Sequence, residues 1–392
     1  MYRVVFYCPD KHIEYDGNTP YRTGVGGGIT ARVRMAKALS KAGHEVVMVV
    51  NCPRRERIDG VEYIPLGKAR RIEGDVLIAN TSGGAMDLRS VLDLETNVRL
   101  RLVWAHGTIK PIGLEEVGCD YLYAVSNFVA GVAHSDWGIP QDRIFVVYNA
   151  YEEELFSRAE DQNPVRDPFR LVYFSHPSKG LDTAIAVLKR LRAMNHRFHL
   201  FVFGGPGLWG QEETEFIQEE GLCYKGLIGQ RELASELLRC SFSLQLQERE
   251  EPGALAIVDA MRAGCIIVGS PVGCYPEMVE HGLVCQLIPG DHRTDKNRDQ
   301  AASTILELVK DQEVCTSLRR NAQAVIWDCD TMAHVWTGHW DWWFSGKNRE
   351  AISDEVYDSK SCSSCGGRRL LLEDGYHCVG CGKYERDLGA YS

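Results

Sequence analysis

The first fifty residues narrow the choice of fold more than any other stretch. An apolar run at residues 2–7 leads into the loop Gly24-Val25-Gly26-Gly27-Gly28. Apolar residues then recur at helical spacing (Val33, Ala36, Leu39) up to a stop at Gly43, and a second apolar run fills residues 45–50. Runs that are apolar at every position, instead of at alternate ones, suit strands covered on both faces by helices. A strand–loop–helix–strand unit joins two parallel strands. Runs of the same kind follow at 76–79, 102–105, 122–126 and 144–148. These predict an open parallel α/β domain over residues 1–160.

A polar segment at 157–168, holding Pro164 and Pro168, reads as an interdomain linker. Strands are expected after it at 169–174, 198–203, 242–246 and 265–269. Helices are expected at 181–194, 254–263 and 304–325. The fold class is therefore α/β, with two facing doubly wound Rossmann-like domains at 1–160 and 165–326. Five of the eight tryptophans lie between Trp327 and Trp343. They predict a helix over 327–346 packed into the domain seam. Residues 347–361 are a polar linker, and 362–392 form a separate small module.

Composition restricts the partners. The chain has 392 residues, of which 44% are hydrophobic, and a formal charge of -10. That charge argues against bulk binding to nucleic acid. No run reaches the roughly 18 apolar residues of a membrane span. The N-terminal segment meets Asp10 too soon for a signal peptide. Ten of the 14 cysteines have no spacing rule and read as free thiols in a cytoplasmic protein. The other four form Cys362-x2-Cys365 and, after twelve residues, Cys378-x2-Cys381. Four thiolates at this spacing make a closed tetrahedral site for a structural Zn²⁺, as in a zinc ribbon. A module of this size needs such a metal to fold.

Three segments carry chemistry. The glycine loop opens a helix, where backbone N–H groups can meet a phosphate, although a tight turn accounts for it equally well. Lys179 follows a strand and precedes a helix, and a cation there could hold a diphosphate. Glu251 and Asp259 stand eight apart around the start of a helix. An acid at a helix start can be a simple cap. Asp259 sits within the otherwise apolar stretch 255–261, where an unpaired charge is costly. Asp328-Cys329-Asp330 resembles a metal-binding D-x-D but is read as coincidence.

The order and spacing of these segments resemble retaining glycosyltransferases of the GT-B fold, family 4 or "group 1". The carriers are Gly26-Gly27-Gly28 with residues 38–46, Trp104-Ala105-His106, Ala124-Val125-Ser126, Val147-Tyr148-Asn149, Lys179-Gly180-Leu181-Asp182, Phe203-Gly204-Gly205 and the Glu251-to-Asp259 block. The resemblance covers nearly all of residues 1–345. It implies that the second domain binds a nucleotide-diphosphate sugar and the first presents a carbohydrate or lipid-linked acceptor. A hexose would move with retention and without a catalytic metal, in polysaccharide or glycoconjugate synthesis.

By that resemblance Glu251 contacts the donor sugar and Asp259 the ribose. Lys179 neutralises the diphosphate, and His106 lies beside the transferred sugar. Gly27 and Gly28 close over the phosphates, and the helix start at Gly253, Ala254 and Leu255 adds backbone N–H groups. The sequence departs from the family pattern twice. Asp259 replaces a Glu, and the family's arginine shortly before the lysine is missing. His176 is the nearest titratable group to that place. A catalytically lapsed scaffold that binds partners through its zinc ribbon is the alternative. Peripheral contact with the inner face of a membrane could use Arg54, Arg55, Arg57, Lys68, Arg70 and Arg71, although solvated loops are the plainer reading.

Overall fold

The computed structural model describes residues 1–212, 218–278, 282 and 284–346, and the backbone of three short strands beyond. The chain divides into two compact units. The first holds Met1–Lys11, Arg34–Asn149 and the chain from Trp327. The second holds His12–Val33 and Ala150–Ile326. The glycine loop and residues 150–160, which sequence order attaches to the first domain, thus belong to the second unit. No described helix is long and apolar enough to cross a membrane.

The first unit is built on β1 (Arg3–Tyr7), β2 (Glu45–Val50), β3 (Glu56–Ile58), β4 (Val61–Pro65), β6 (Val76–Asn80), β8 (Leu100–Ala105), β9 (Tyr121–Ala124) and β10 (Ile144–Val146). The short strands β5 (Arg71–Glu73) and β7 (Glu95–Asn97) pair with each other apart from this sheet. The main order is β10-β9-β8-β6-β1-β2-β4-β3. Every pair is parallel except β3 with β4. Val4, Phe6, Val76 and Ile78 are wholly buried, as strands with helices on both faces require.

The helix Cys329–Phe344 packs on this first sheet. Asp328 caps it by accepting from the Thr331 N–H at 2.7 Å, and Asp330 pairs with Lys41. Each acid of the D-x-D segment thus has a structural part. Trp336 is fully buried against Phe6, Trp104 and Tyr123, with ring centroids 6.4, 4.8 and 5.0 Å away.

The second unit is built on β11 (Arg170–Tyr173), β12 (His199–Phe203), β13 (Leu222–Gly226), β14 (Phe242–Gln245), β15 (Ile266–Gly269) and β16 (Gln286–Leu287). Its order is β13-β12-β11-β14-β15-β16, parallel throughout. The chain runs outward from β11 to β13, then restarts at β14 on the other side. The β11/β14 pair is therefore a topological switch point, and the crevice beyond its carboxyl ends is where open α/β sheets place ligands.

Three expectations are corrected. The helix expected over 304–325 is two helices, Asp295–Lys310 and Gln312–Ala324, because Asp311 breaks the run and caps the second through the Val314 N–H at 3.0 Å. The linker expected from residue 157 begins later. Glu153–Glu160 is a helix whose Phe156 is buried and whose Glu153 and Glu160 bind Arg262. The strand β13 was not expected, since its half-exposed residues show no apolar run.

Beyond residue 346, β17 (Arg369–Leu372), β18 (Gly375–Cys378) and β19 (Tyr384–Arg386) form an antiparallel meander. Cys378 closes β18. Cys362, Cys365 and Cys381 lie outside the described residues, as does the linker 347–361.

Candidate active site

The sequence-selected residues of the second unit gather at its switch point. After β11 the chain turns through a short 3-10 helix, Pro177–Lys179, and enters the helix Leu181–Met194 at Gly180. Gly180 has φ +98°, and a Cβ there would fall 1.9 Å from the Leu246 carbonyl oxygen. Only glycine fits, and this close approach sets the lysine turn against the end of β14. Lys179 leaves this turn and forms an ion pair with Glu251. The two side chains are 20% and 11% exposed, so each charge depends largely on the other.

Glu251 is positioned through its backbone. Its carbonyl accepts the Cys274 N–H at 2.8 Å. Gly273, at φ +56°, lies so close that a Cβ there would be 2.4 Å from both the Glu251 nitrogen and its carbonyl oxygen. The helix Leu255–Arg262 starts four residues later, with Ala254 at its N-cap and no side chain capping it. The Ala254 N–H donates to Cys274 Sγ at 3.5 Å, and the N–H groups of Leu255 and Ala256 follow at the helix start, where backbone donors have no intrahelical acceptor. Asp259 is buried, at 4% exposure, and is the fifth residue of this helix. It lies little more than one turn in.

The glycine loop approaches the same place. A Cβ on Gly26 would lie 3.0 Å from the Leu208 carbonyl oxygen, and one on Gly27 would lie 3.8 Å from the Leu255 Cβ. The start of the helix Gly27–Lys41 is thus beside the start of Leu255–Arg262. Gly28 faces open space.

His176 is buried and stacks on Trp209, with centroids 3.6 Å apart and planes 7° apart. Its Nδ1 accepts the Ser178 N–H at 3.2 Å, and its Nε2 lies 3.0 Å from Gln211 Oε1. His176 thus lies at the strand end before Lys179, held by Ser178, Gln211 and the Trp209 ring.

Sequence reasoning missed Trp209, Arg249, Gly273 and Tyr275. Trp209 ends the turn after Gly204-Gly205, and its ring lies 4.8 Å from the Arg249 guanidinium carbon and 5.9 Å from Lys179 Nζ. Its place just past a strand's carboxyl end was the available signal. Arg249 is hidden in the acidic run Glu248–Glu251. Tyr275 receives a hydrogen bond from Gln247 at 2.7 Å. Burial, then the Glu251 charge, push the Tyr275 and Tyr173 hydroxyls well above the ordinary tyrosine range.

His106 belongs to the first unit. It follows β8, is 8% exposed, donates its backbone N–H to Thr81 Oγ1 at 2.8 Å and lies 4.2 Å from the Trp104 ring. In the same unit, Arg54, Arg55 and Arg71 pair with Glu56, Glu62 and Glu73.

Residues 164–325 match the family model described as glycosyl transferases group 1. The matched segment carries the whole second sheet with Lys179, Glu251 and Asp259. No protein of curated function matches the chain in sequence. Among solved structures, AviGT4, a glycosyltransferase involved in avilamycin A biosynthesis, is 18% identical with a TM-score of 0.61, covering 88% of this chain and 98% of that one. HepE of Anabaena, in complex with UDP-glucose, is 16% identical with a TM-score of 0.58, covering 87% and 100%. The sucrose-phosphate synthase of Thermosynechococcus elongatus is 14% identical with a TM-score of 0.62, covering 88% and 100%. The chain has the fold of these proteins, the GT-B fold with its two Rossmann-like units.

Proposed function

We propose that the protein is a retaining glycosyltransferase. It moves a hexose from a nucleoside-diphosphate sugar to a carbohydrate or lipid-linked acceptor in polysaccharide or glycoconjugate synthesis. The observation that carries this reading is the Lys179–Glu251 ion pair at the switch point of the second sheet, beside two helix starts. The group 1 match over the same segment and the fold shared with nucleotide-sugar-binding proteins support it.

The chemistry follows from charge. Cleaving the bond between sugar and diphosphate builds negative charge on the phosphate and positive charge on the sugar. Without donor, Lys179 and Glu251 compensate one another. With donor, Lys179 turns its ammonium to the diphosphate, and Glu251 is left to accept from sugar hydroxyls. The uncapped N–H groups at Leu255–Arg262 and those at Gly27 and Gly28 meet the developing anion, which a catalytic metal would otherwise have to do. Asp259 is assigned to the ribose, and His106, in the first unit, to the transferred sugar. Transfer occurs on the face the leaving group vacates, so no enzyme nucleophile is assigned. A lipid-linked acceptor would bring the chain to a membrane surface.

The test is a panel of UDP-, GDP- and ADP-sugars with the full chain. One of them should bind and release its nucleoside diphosphate, while the sugar keeps its anomeric configuration in the product. A chain that binds none of them by calorimetry, and releases no diphosphate with any acceptor mixture, overturns the reading.

A further inference from the structure

Lys179 by itself is a poor match for a diphosphate. Its charge is already met by Glu251, so the pair offers no net attraction to a dianion. The chain as a whole carries a formal charge of -10. His176, the nearest titratable group before the lysine, is engaged by Ser178 and Gln211. A second cation near Lys179 would restore the attraction, and Arg249 lies against the same tryptophan as Lys179.

Arg249 lies in the run Glu248-Arg249-Glu250-Glu251, where a paired surface side chain would be the ordinary expectation. Its flanking carboxylate Glu248 pairs instead with Arg293 at 2.8 Å. Arg249 makes no ion pair among the described residues. Its guanidinium is held over the Trp209 ring at 4.8 Å, and Lys179 Nζ lies 5.9 Å from the same ring. A cation on an aromatic face loses little of its charge to that contact and keeps its outward N–H groups. Both cations thus lie against one ring, and the Gly26 backbone is packed against the same turn.

We propose that Arg249 is the second diphosphate-binding cation, held in place by Trp209, and that its planar fork takes the phosphate oxygens that Lys179 leaves unbound. The inference rests on the donor reading above. It adds that the loop bearing Glu251 supplies charge to the leaving group as well as contact to the sugar.

The experiment measures binding of UDP, GDP and ADP to the full chain, then takes the tightest base forward as diphosphate and as monophosphate. Arg249→Ala should weaken the diphosphate by on the order of 10- to 100-fold, the value of a charge-assisted hydrogen bond to phosphate. The monophosphate should weaken much less, and Arg249→Lys should recover part of the loss. Arg249 is exposed, so the unfolding midpoint should not move. If Arg249→Ala binds the diphosphate as the wild type does, this inference falls and the donor reading stands. Equal weakening of both nucleotides would mean that Arg249 acts through Trp209 on the base, which also overturns it. If the wild type binds no nucleoside diphosphate, both readings fall together.

Discussion

At the scale of single residues, the site is a small set of charges whose stability and chemistry are coupled. Removing Lys179 leaves Glu251 largely buried with its partner gone. Lys179→Ala should lower stability by up to about 3 kcal/mol, reduced from the value for a fully buried pair by the lysine's 20% exposure. It should also lower turnover by about 10²–10³-fold, as loss of one group that stabilises transition-state charge does. The double variant Lys179→Ala/Glu251→Ala should regain most of the stability and none of the turnover. Urea denaturation and initial rates on the same preparations check both. The types of Lys179, Glu251 and Asp259 were legible because charged residues stood out in apolar or turn contexts. Arg249 and Trp209 were not, because a cation in an acidic run and a tryptophan after glycines look ordinary until their separation in space is known.

At the scale of elements, helix starts and their anchors make the predictions. Gly28 is the second residue of the helix Gly27–Lys41, and a Cβ there meets nothing within 4 Å. Gly28→Ala should leave stability unchanged or raise it, since alanine exceeds glycine in helix preference by about 1 kcal/mol. It should nevertheless raise the donor KM if phosphate approaches that backbone, as the proposed function requires. Thermal unfolding beside donor saturation curves separates the two effects. The helix Leu255–Arg262 is anchored by Arg262, which donates to Glu153 at 2.7 Å and to Glu160 at 2.7 Å. The hydrogen bond from Arg262 holds the Glu153 carboxyl below the usual glutamate range. A carboxylate depressed by folding stabilises above its unfolded pKa and loses that contribution as pH falls through the folded value. Arg262→Ala should therefore destabilise the protein by about 1–2 kcal/mol at pH 7. The difference from the wild type should shrink below about pH 4, which denaturation midpoints across pH will show.

At the scale of the whole molecule, the chain does not finish one unit before starting the next. Residues 12–33 and 150–160 join the second unit, and a helix from beyond residue 327 completes the first. Trp336 is placed in that core by contacts with β1, β8 and β9, more than 200 residues earlier. The C-terminal segment is proposed to be an independent zinc-binding module. Its antiparallel meander ends β18 at Cys378, one of the four proposed zinc ligands. Metal analysis of the purified chain should find about one zinc per molecule, as a single four-cysteine site requires. Chelation should expose four thiols to a thiol reagent and leave donor binding by the rest of the chain intact. A chain without zinc, or one whose donor binding is lost on chelation, would count against an independent structural site.

Read alone, the amino-acid sequence was enough for the class of fold, most strand and helix positions and the choice of candidate site residues. Those signals are local: an apolar run, a glycine after a helix, a charge where none is expected. Only the tertiary structure showed that the glycine loop belongs with the second unit, that His176 stacks on Trp209, and that Arg249 and Lys179 both lie against that ring. It also placed Gly273 under Glu251 and divided the helix expected over 304–325 at Asp311. Each of these depends on which strands are neighbours at the switch point or on which hydrogen-bond donors surround a ring. Strand order brings distant residues together, and no spacing along the chain records it.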